Sequence, residues 1–137
     1  MRRHNRLPIL LLVPLLLALS GCAGPPPVEE RGTFTGEKTF EIRRNLIDVT
    51  VQTDGVGSYV VRQFPYGHPM GPPGDTECVV TTSAGTFTIE NRNLSGSGVR
   101  VNGTEYDPPR PPDRGRPKMV IDKRGAVTVA PAAEPGP

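Results

Sequence analysis

The sequence predicts an all-β protein, a small antiparallel sandwich or partly open barrel of about eight or nine short strands. Three observations lead there. Apolar and polar residues alternate with period two over several segments, as half-buried strands require. Turn pairs such as Asn102-Gly103 and Arg124-Gly125 fall between those segments. No stretch beyond the first twenty residues carries a helical period of useful length. Repeated short strands separated by turn chemistry are the pattern of sandwiches and barrels.

The chain opens differently from the rest. Met1-Arg2-Arg3-His4-Asn5-Arg6 is a basic head, Leu7 to Leu19 is an apolar run, and Leu19-Ser20-Gly21-Cys22 follows. The run is short for a membrane-spanning helix, which needs about 20 apolar residues, and a small-residue cleavage pattern comes directly after it, so residues 1–21 read as an export signal. Leu19-Ser20-Gly21-Cys22 resembles the lipobox of bacterial lipoproteins. The resemblance implies cleavage between Gly21 and Cys22, a diacylglycerol on the Cys22 thiol, and an acyl chain such as palmitate on the new amino group. It also implies a membrane partner: the protein would be lipid-anchored on the extracytoplasmic side. In Gram-negative species an Asp after the cysteine tends to retain a lipoprotein at the inner membrane; Ala23 stands there, which favours the outer membrane in such an organism.

Removing residues 1–21 from 137 leaves 116, enough for one small domain. Arg2, Arg3 and Arg6 leave with the signal, so 13 of the 16 basic side chains face all 14 acids and the net charge moves from +2 to −1. The apparent basicity of the whole chain therefore belongs to the signal. Without a basic face on the domain itself, nucleic acid is not an expected partner. With lipid on Cys22, Cys78 is left alone and no internal disulfide can form. Proline and glycine supply 30 of the 116 residues, close to the level typical of low-complexity chains, so the expected core is small and its loops long.

Taken in order, residues 22–35 include Pro25-Pro26-Pro27 and offer little to bury, which reads as an extended Pro/Gly-rich tether. The β domain is expected over 36–130. Phe40 and Ile42 alternate with Thr39, Glu41 and Arg43 in a first strand, with Arg44-Asn45 as the link onward. Ile47, Val49 and Val51 alternate with Asp48, Thr50 and Gln52 in a second, and Asp54-Gly55-Val56-Gly57 is expected to turn it into a third over Ser58–Phe64. Cys78–Thr82 and Thr86–Glu90 are rich in β-branched residues and joined by Ser83-Ala84-Gly85. Val99–Tyr106 folds about Asn102-Gly103, and Lys118–Val129 about Arg124-Gly125. Residues 131–137 hold almost no core residues and read as a disordered tail.

Two long loops, 65–76 and 107–117, interrupt this pattern, and structureless loops of about a dozen residues are often functional. The first contains His68 and Met70 and leads into Cys78. These are the only residues from which a metal site or a Cys/His pair would be built, yet His4 is lost with the signal and no paired-ligand spacing remains. No metal and no cofactor is expected. A nucleophilic Cys78 needs a cationic or helix N-terminal neighbour to lower its pKa, whereas it begins an apolar strand, where cysteine behaves as a small hydrophobe. The second loop, Pro108-Pro109-Arg110-Pro111-Pro112-Asp113-Arg114, resembles proline-rich ligands that dock in polyproline II. Arg110, Arg114 and Arg116 are its candidate contacts to an envelope protein partner. Two readings follow: a binding, assembly or structural module of the cell envelope without catalytic activity, and, as the alternative, a metal carrier or enzyme using His68, Met70 and Cys78.

Overall fold

A computed structural model describes residues 26–65, 74–92, 98–113 and 115–130. The signal with Gly21 and Cys22, the loop residues His68 and Met70, Arg114, and the tail 131–137 lie outside the described residues. Within them the protein is all-β, with eight strands in one mixed sheet that curls into a nearly closed barrel. The strands are β1 (Val28–Ile42), β2 (Ile47–Gln63), β3 (Thr76–Thr82), β4 (Gly85–Glu90), β5 (Val99–Val101), β6 (Thr104–Tyr106), β7 (Lys118–Ile121) and β8 (Val127–Val129).

The barrel is organised by the β1–β2 hairpin. Its turn, residues 43–46, closes with Leu46 at φ 54° and the Leu46 amide donating to the Arg43 carbonyl. One edge of β2 runs antiparallel to β1 throughout. The other edge is shared by two strands: β7 lies parallel to residues 48–51, and β3 lies antiparallel to residues 58–63. Between those halves the register shifts, with Thr35 opposite Val56 but Glu37 opposite Gln52. Gly36 (φ 74°) and Gly55 (φ 80°) take the left-handed backbone this shift needs, a conformation glycine adopts without a Cβ penalty. A bulge of this kind bends a strand pair and increases its twist, and the bent hairpin brings the two parts of the sheet face to face.

Between them lies a core of Phe40, Ile42, Ile47, Val49, Val51, Cys78, Val80, Phe87, Ile89, Val99, Val101, Met119 and Ile121, all buried. The expected alternation holds: Ile47, Val49 and Val51 point inward, while Asp48, Thr50 and Gln52 are half-exposed. Beneath the β1–β2 turn the interior is polar. Buried Asn45 donates through Nδ2 to the Gly98 carbonyl, the Arg43 amide donates to Thr76 Oγ1, and Asn91 Oδ1 accepts from the Thr76 amide at 2.8 Å. These bonds tie the turn to the starts of β3 and β5, where backbone groups would otherwise be buried unpaired.

Two expectations are corrected. The tether does not extend to residue 35, because Val28–Thr35 are the first half of β1, paired with 56–63. This half lacks apolar alternation of its own and is largely exposed; it packs on β2 through the Tyr59 ring over Gly32 and its own Phe34 ring over Gly57. Phe34, Tyr59 and Phe40 then pack edge-on or tilted, with ring centroids 5.4 to 6.5 Å apart. Asp54–Gly57 is also not a hairpin turn. β2 passes through it as one 17-residue strand, because β1 pairs on both sides of the bend. The other three hairpins form where expected, at Ser83-Ala84, at Asn102-Gly103 (φ 47° and 84°), and at 122–126, where Asp122 Oδ1 accepts from the Arg124 and Ala126 amides.

Candidate functional site

The 107–117 loop runs from the end of β6 back to the start of β7, from one end of the sheet path to the parallel position beside β2. Its ends are fixed by burial of Pro108 and Pro117, and the Pro117 carbonyl accepts from the Asp48 amide at 3.0 Å. Proline suits this path, since its locked φ lowers the entropy lost on ordering. Asp113 Oδ1 accepts from the Gly115 amide at 2.9 Å, an Asx turn that folds the loop back toward the sheet.

Folded this way, the loop covers a cleft of 380 Å³. Pro109, Pro111, Asp113, Gly115 and Arg116 form the loop wall, and Asp48, Lys118 and Ala130 form the barrel wall. Apolar proline rings thus face a floor carrying both signs of charge, the mixture of apolar area and few polar groups common to binding pockets. Arg116 is the hinge between loop and barrel. Its Nε stands 2.9 Å from Asp48 and its Nη2 3.1 Å from Glu41, both nitrogens shielded from solvent and without the alignment of full hydrogen bonds. Glu41 and Asp48 are paired across β1 and β2, so the ladder itself presents the two acids side by side.

The candidate residues divide accordingly. Arg110 is exposed on the loop, and Arg116 is half-buried and held by two acids, so of the two only Arg110 is turned freely to a partner. Arg114 lies outside the described residues. The sequence reading missed Asp48, Lys118 and Ala130. Their role comes from the parallel β2–β7 pairing and the Ala130 amide bonded to the Lys118 carbonyl, long-range contacts that leave no local signal.

Cys78 sits elsewhere, fully buried between Val61 of β2 and Ile89 of β4. Burial pushes its thiol up to about 12, with the charges of Glu77 and Glu30 adding to the effect. A thiol so shifted is un-ionised near neutrality and is not an activated nucleophile. His68 and Met70, the rest of the alternative metal set, lie outside the described residues, and among those described no three His, Cys, Asp or Glu side chains converge as metal ligands.

The opposite, outward face of the sheet carries a row of charges in register across β1 to β5: Glu29, Arg62, Glu77, Glu90 and Arg100. Arg62 bridges Glu29 at 2.9 Å and Glu77 at 2.8 Å, and Arg100 approaches Glu90 at 3.8 Å. Hydrogen bonds from Arg62 and Arg31 hold the Glu29 carboxyl below its ordinary value, and those to Glu29 and Glu77 hold Arg62 above its own. Every charge in the row has an opposite partner within it, which leaves the loop cleft as the better candidate for a partner.

Comparison with protein-family models, with curated proteins and with solved structures finds no match.

Proposed function

We propose that the protein is an exported, lipid-anchored binding module of the cell envelope, held to its membrane through Cys22 and engaging a protein partner with the 107–117 loop and its cleft. The observation that carries the binding role is the ordered proline-rich loop, clamped at Arg116, which builds a 380 Å³ cleft rather than passing over the surface as a slack connection. The anchoring role rests on the basic head, the apolar run and Leu19-Ser20-Gly21-Cys22. No catalytic role is assigned, since the one described thiol is buried and held un-ionised.

The test replaces 109–113 with Gly/Ser, keeping Pro108, Arg116 and Pro117 so that the anchoring contacts survive. The native lipoprotein, cross-linked in its own membrane, is expected to yield a defined adduct that this exchange abolishes while the thermal unfolding midpoint of the barrel changes little. An adduct of undiminished yield from the exchanged protein would remove the loop from the binding role.

A further inference from the structure

We infer that one end of the barrel is a membrane-contact surface, an apolar tip that sinks into the interface of a phospholipid bilayer. The described residues expose three large hydrophobic side chains, Val28 (68% exposed), Leu46 (45%) and Val56 (69%), and the first two share this end. The bent hairpin brings them there. Val28 and Arg43 line one hollow of 230 Å³ with Gln63, Phe64, Pro65 and Gly74, and the Leu46 amide closes its turn onto the Arg43 carbonyl. Val56 lies at the bend opposite Thr35, roughly 20–25 Å from Val28 along the strand at about 3.3 Å per residue.

Single apolar residues on a surface are ordinary, but folding does not account for Leu46. Its φ of 54° is a left-handed conformation that suits Gly or Asn and is costly for a leucine, and nearly half of the side chain stays exposed. Beside these two tips Phe64 is half-buried and Pro65 exposed, while Arg43 and Arg92 are exposed, the Arg92 guanidinium lying 4.4 Å from the Phe64 ring centroid. Arginine next to apolar side chains suits a bilayer interface, where the stem lies among acyl chains and the guanidinium reaches a phosphate. Charge does not choose the lipid. Asp75 pairs with Arg44 at 2.9 Å, and Glu30, one rung inside Val28, and Asp107, which follows β6 near the Asn45–Gly98 contact, offset Arg43 and Arg92. The partner is therefore phospholipid as such, not anionic lipid in particular. What brings a bilayer to this end is the spacer: only residues 23–27 separate Cys22 from Val28, so the inference rests on the anchored reading. Two tips are too few to hold the protein alone, and the short spacer supplies the effective concentration that a weak contact needs.

The test couples the mature protein at Cys22 to a maleimide-bearing phospholipid, Cys78 being buried, and places it on phosphatidylcholine bicelles that contain a nitroxide-labelled lipid. Backbone amide signals of Val28, Leu46 and Phe64 are expected to broaden while those of Val56 and Gly57 at the bend are spared, equally with and without added phosphatidylglycerol. Leu46→Asn is expected to lower the docked fraction about tenfold, the weight of one apolar side chain withdrawn from an apolar environment. Its unfolding midpoint is expected to be no lower than that of the wild type, because Asn accepts the left-handed backbone. Val56→Asn, the same loss at the far end, is expected to leave the docked fraction unaltered. The surface is overturned, with the anchor left standing, by absent or equal broadening at the two ends, by broadening that requires phosphatidylglycerol, or by Leu46→Asn either keeping the wild-type pattern or unfolding well below the wild type. A native protein whose Cys22 carries no lipid by mass spectrometry removes the anchor, and the surface with it.

Discussion

At the scale of single residues, Cys78 shows most clearly how position overrides chemical potential. A lone free thiol invites a reactive reading, yet strand alternation places this one between Val61 and Ile89 with no exposed surface. The consequence for pH is specific. Its pKa rises from an ordinary 9.0 in the unfolded chain to about 12 in the fold, so the unfolded state releases a proton that the folded state retains. The stabilisation is complete below about pH 9 and is lost at roughly 1.4 kcal/mol per pH unit as pH climbs toward the folded value. Urea unfolding of wild type and Cys78→Ala across this range is expected to show that extra slope only in the wild type. Parallel slopes in the two proteins would mean that the thiol ionises as readily folded as unfolded. In the same way, maleimide at neutral pH is expected to label Cys78 only after denaturation. Arg116 teaches the complementary lesson: an arginine in a proline-rich loop reads as a free contact, but its two acids across the β1–β2 ladder make it the clamp that shapes the cleft.

At the scale of elements, the first half of β1, paired with β2 from Val28 to Thr35, packs on it by setting the Phe34 ring over Gly57. A Cβ on Gly57 would stand 2.6 Å from the Phe34 ring, so Gly57→Ala must displace that ring from the Phe40 and Tyr59 cluster. A cost of about 1–3 kcal/mol is expected, as for overpacking generally, and in a Phe34→Ala background the same change is expected to be nearly neutral. Urea denaturation of the four proteins measures this; equal costs in both backgrounds would show that the ring does not depend on the glycine. The same contact explains what was legible in the sequence. Hairpins at Asn102-Gly103 and Arg124-Gly125 announce themselves because turn chemistry and flanking alternation are both local. Val28–Thr35 does not, since Glu, Arg, Gly and Thr carry no apolar stripe and the missing side chain over Gly32 comes from Tyr59, 27 residues away. Asp54-Gly55 was misread for a related reason: positive φ at Gly55 serves a hairpin turn and a bulge equally well, and only the continuous partner strand β1 decides between them. The proline-rich loop was legible as a candidate, but the barrel wall of its cleft depends on the parallel β2–β7 pairing and was not.

At the scale of the whole molecule, extending β1 back to Val28 changes the geometry of the proposed anchor. Only residues 23–27 separate Cys22 from the first strand. At about 3.1 Å per residue in an extended proline-rich spacer, that is a reach of roughly 15 Å, well short of what a tether running to residue 35 would allow. A lipid on Cys22 would therefore hold the barrel close to the headgroups, with the Val28 end of β1 nearest the membrane. Attachment of this kind depends on having more than one acyl chain, since a single chain binds only marginally. Mass spectrometry of the mature protein is expected to find an N-terminus at Cys22 bearing diacylglycerol and a further acyl group, and Cys22→Ala is expected to leave the membrane fraction while the barrel remains folded. Lengthening the spacer by inserting Gly/Ser after Pro27 should keep the protein on the membrane but raise the accessibility of a spin label placed at position 28 to water-soluble quenchers. An unlipidated protein beginning elsewhere would remove the anchor, whereas a lipidated one whose label is equally exposed with either spacer would retain the anchor and remove only the close approach.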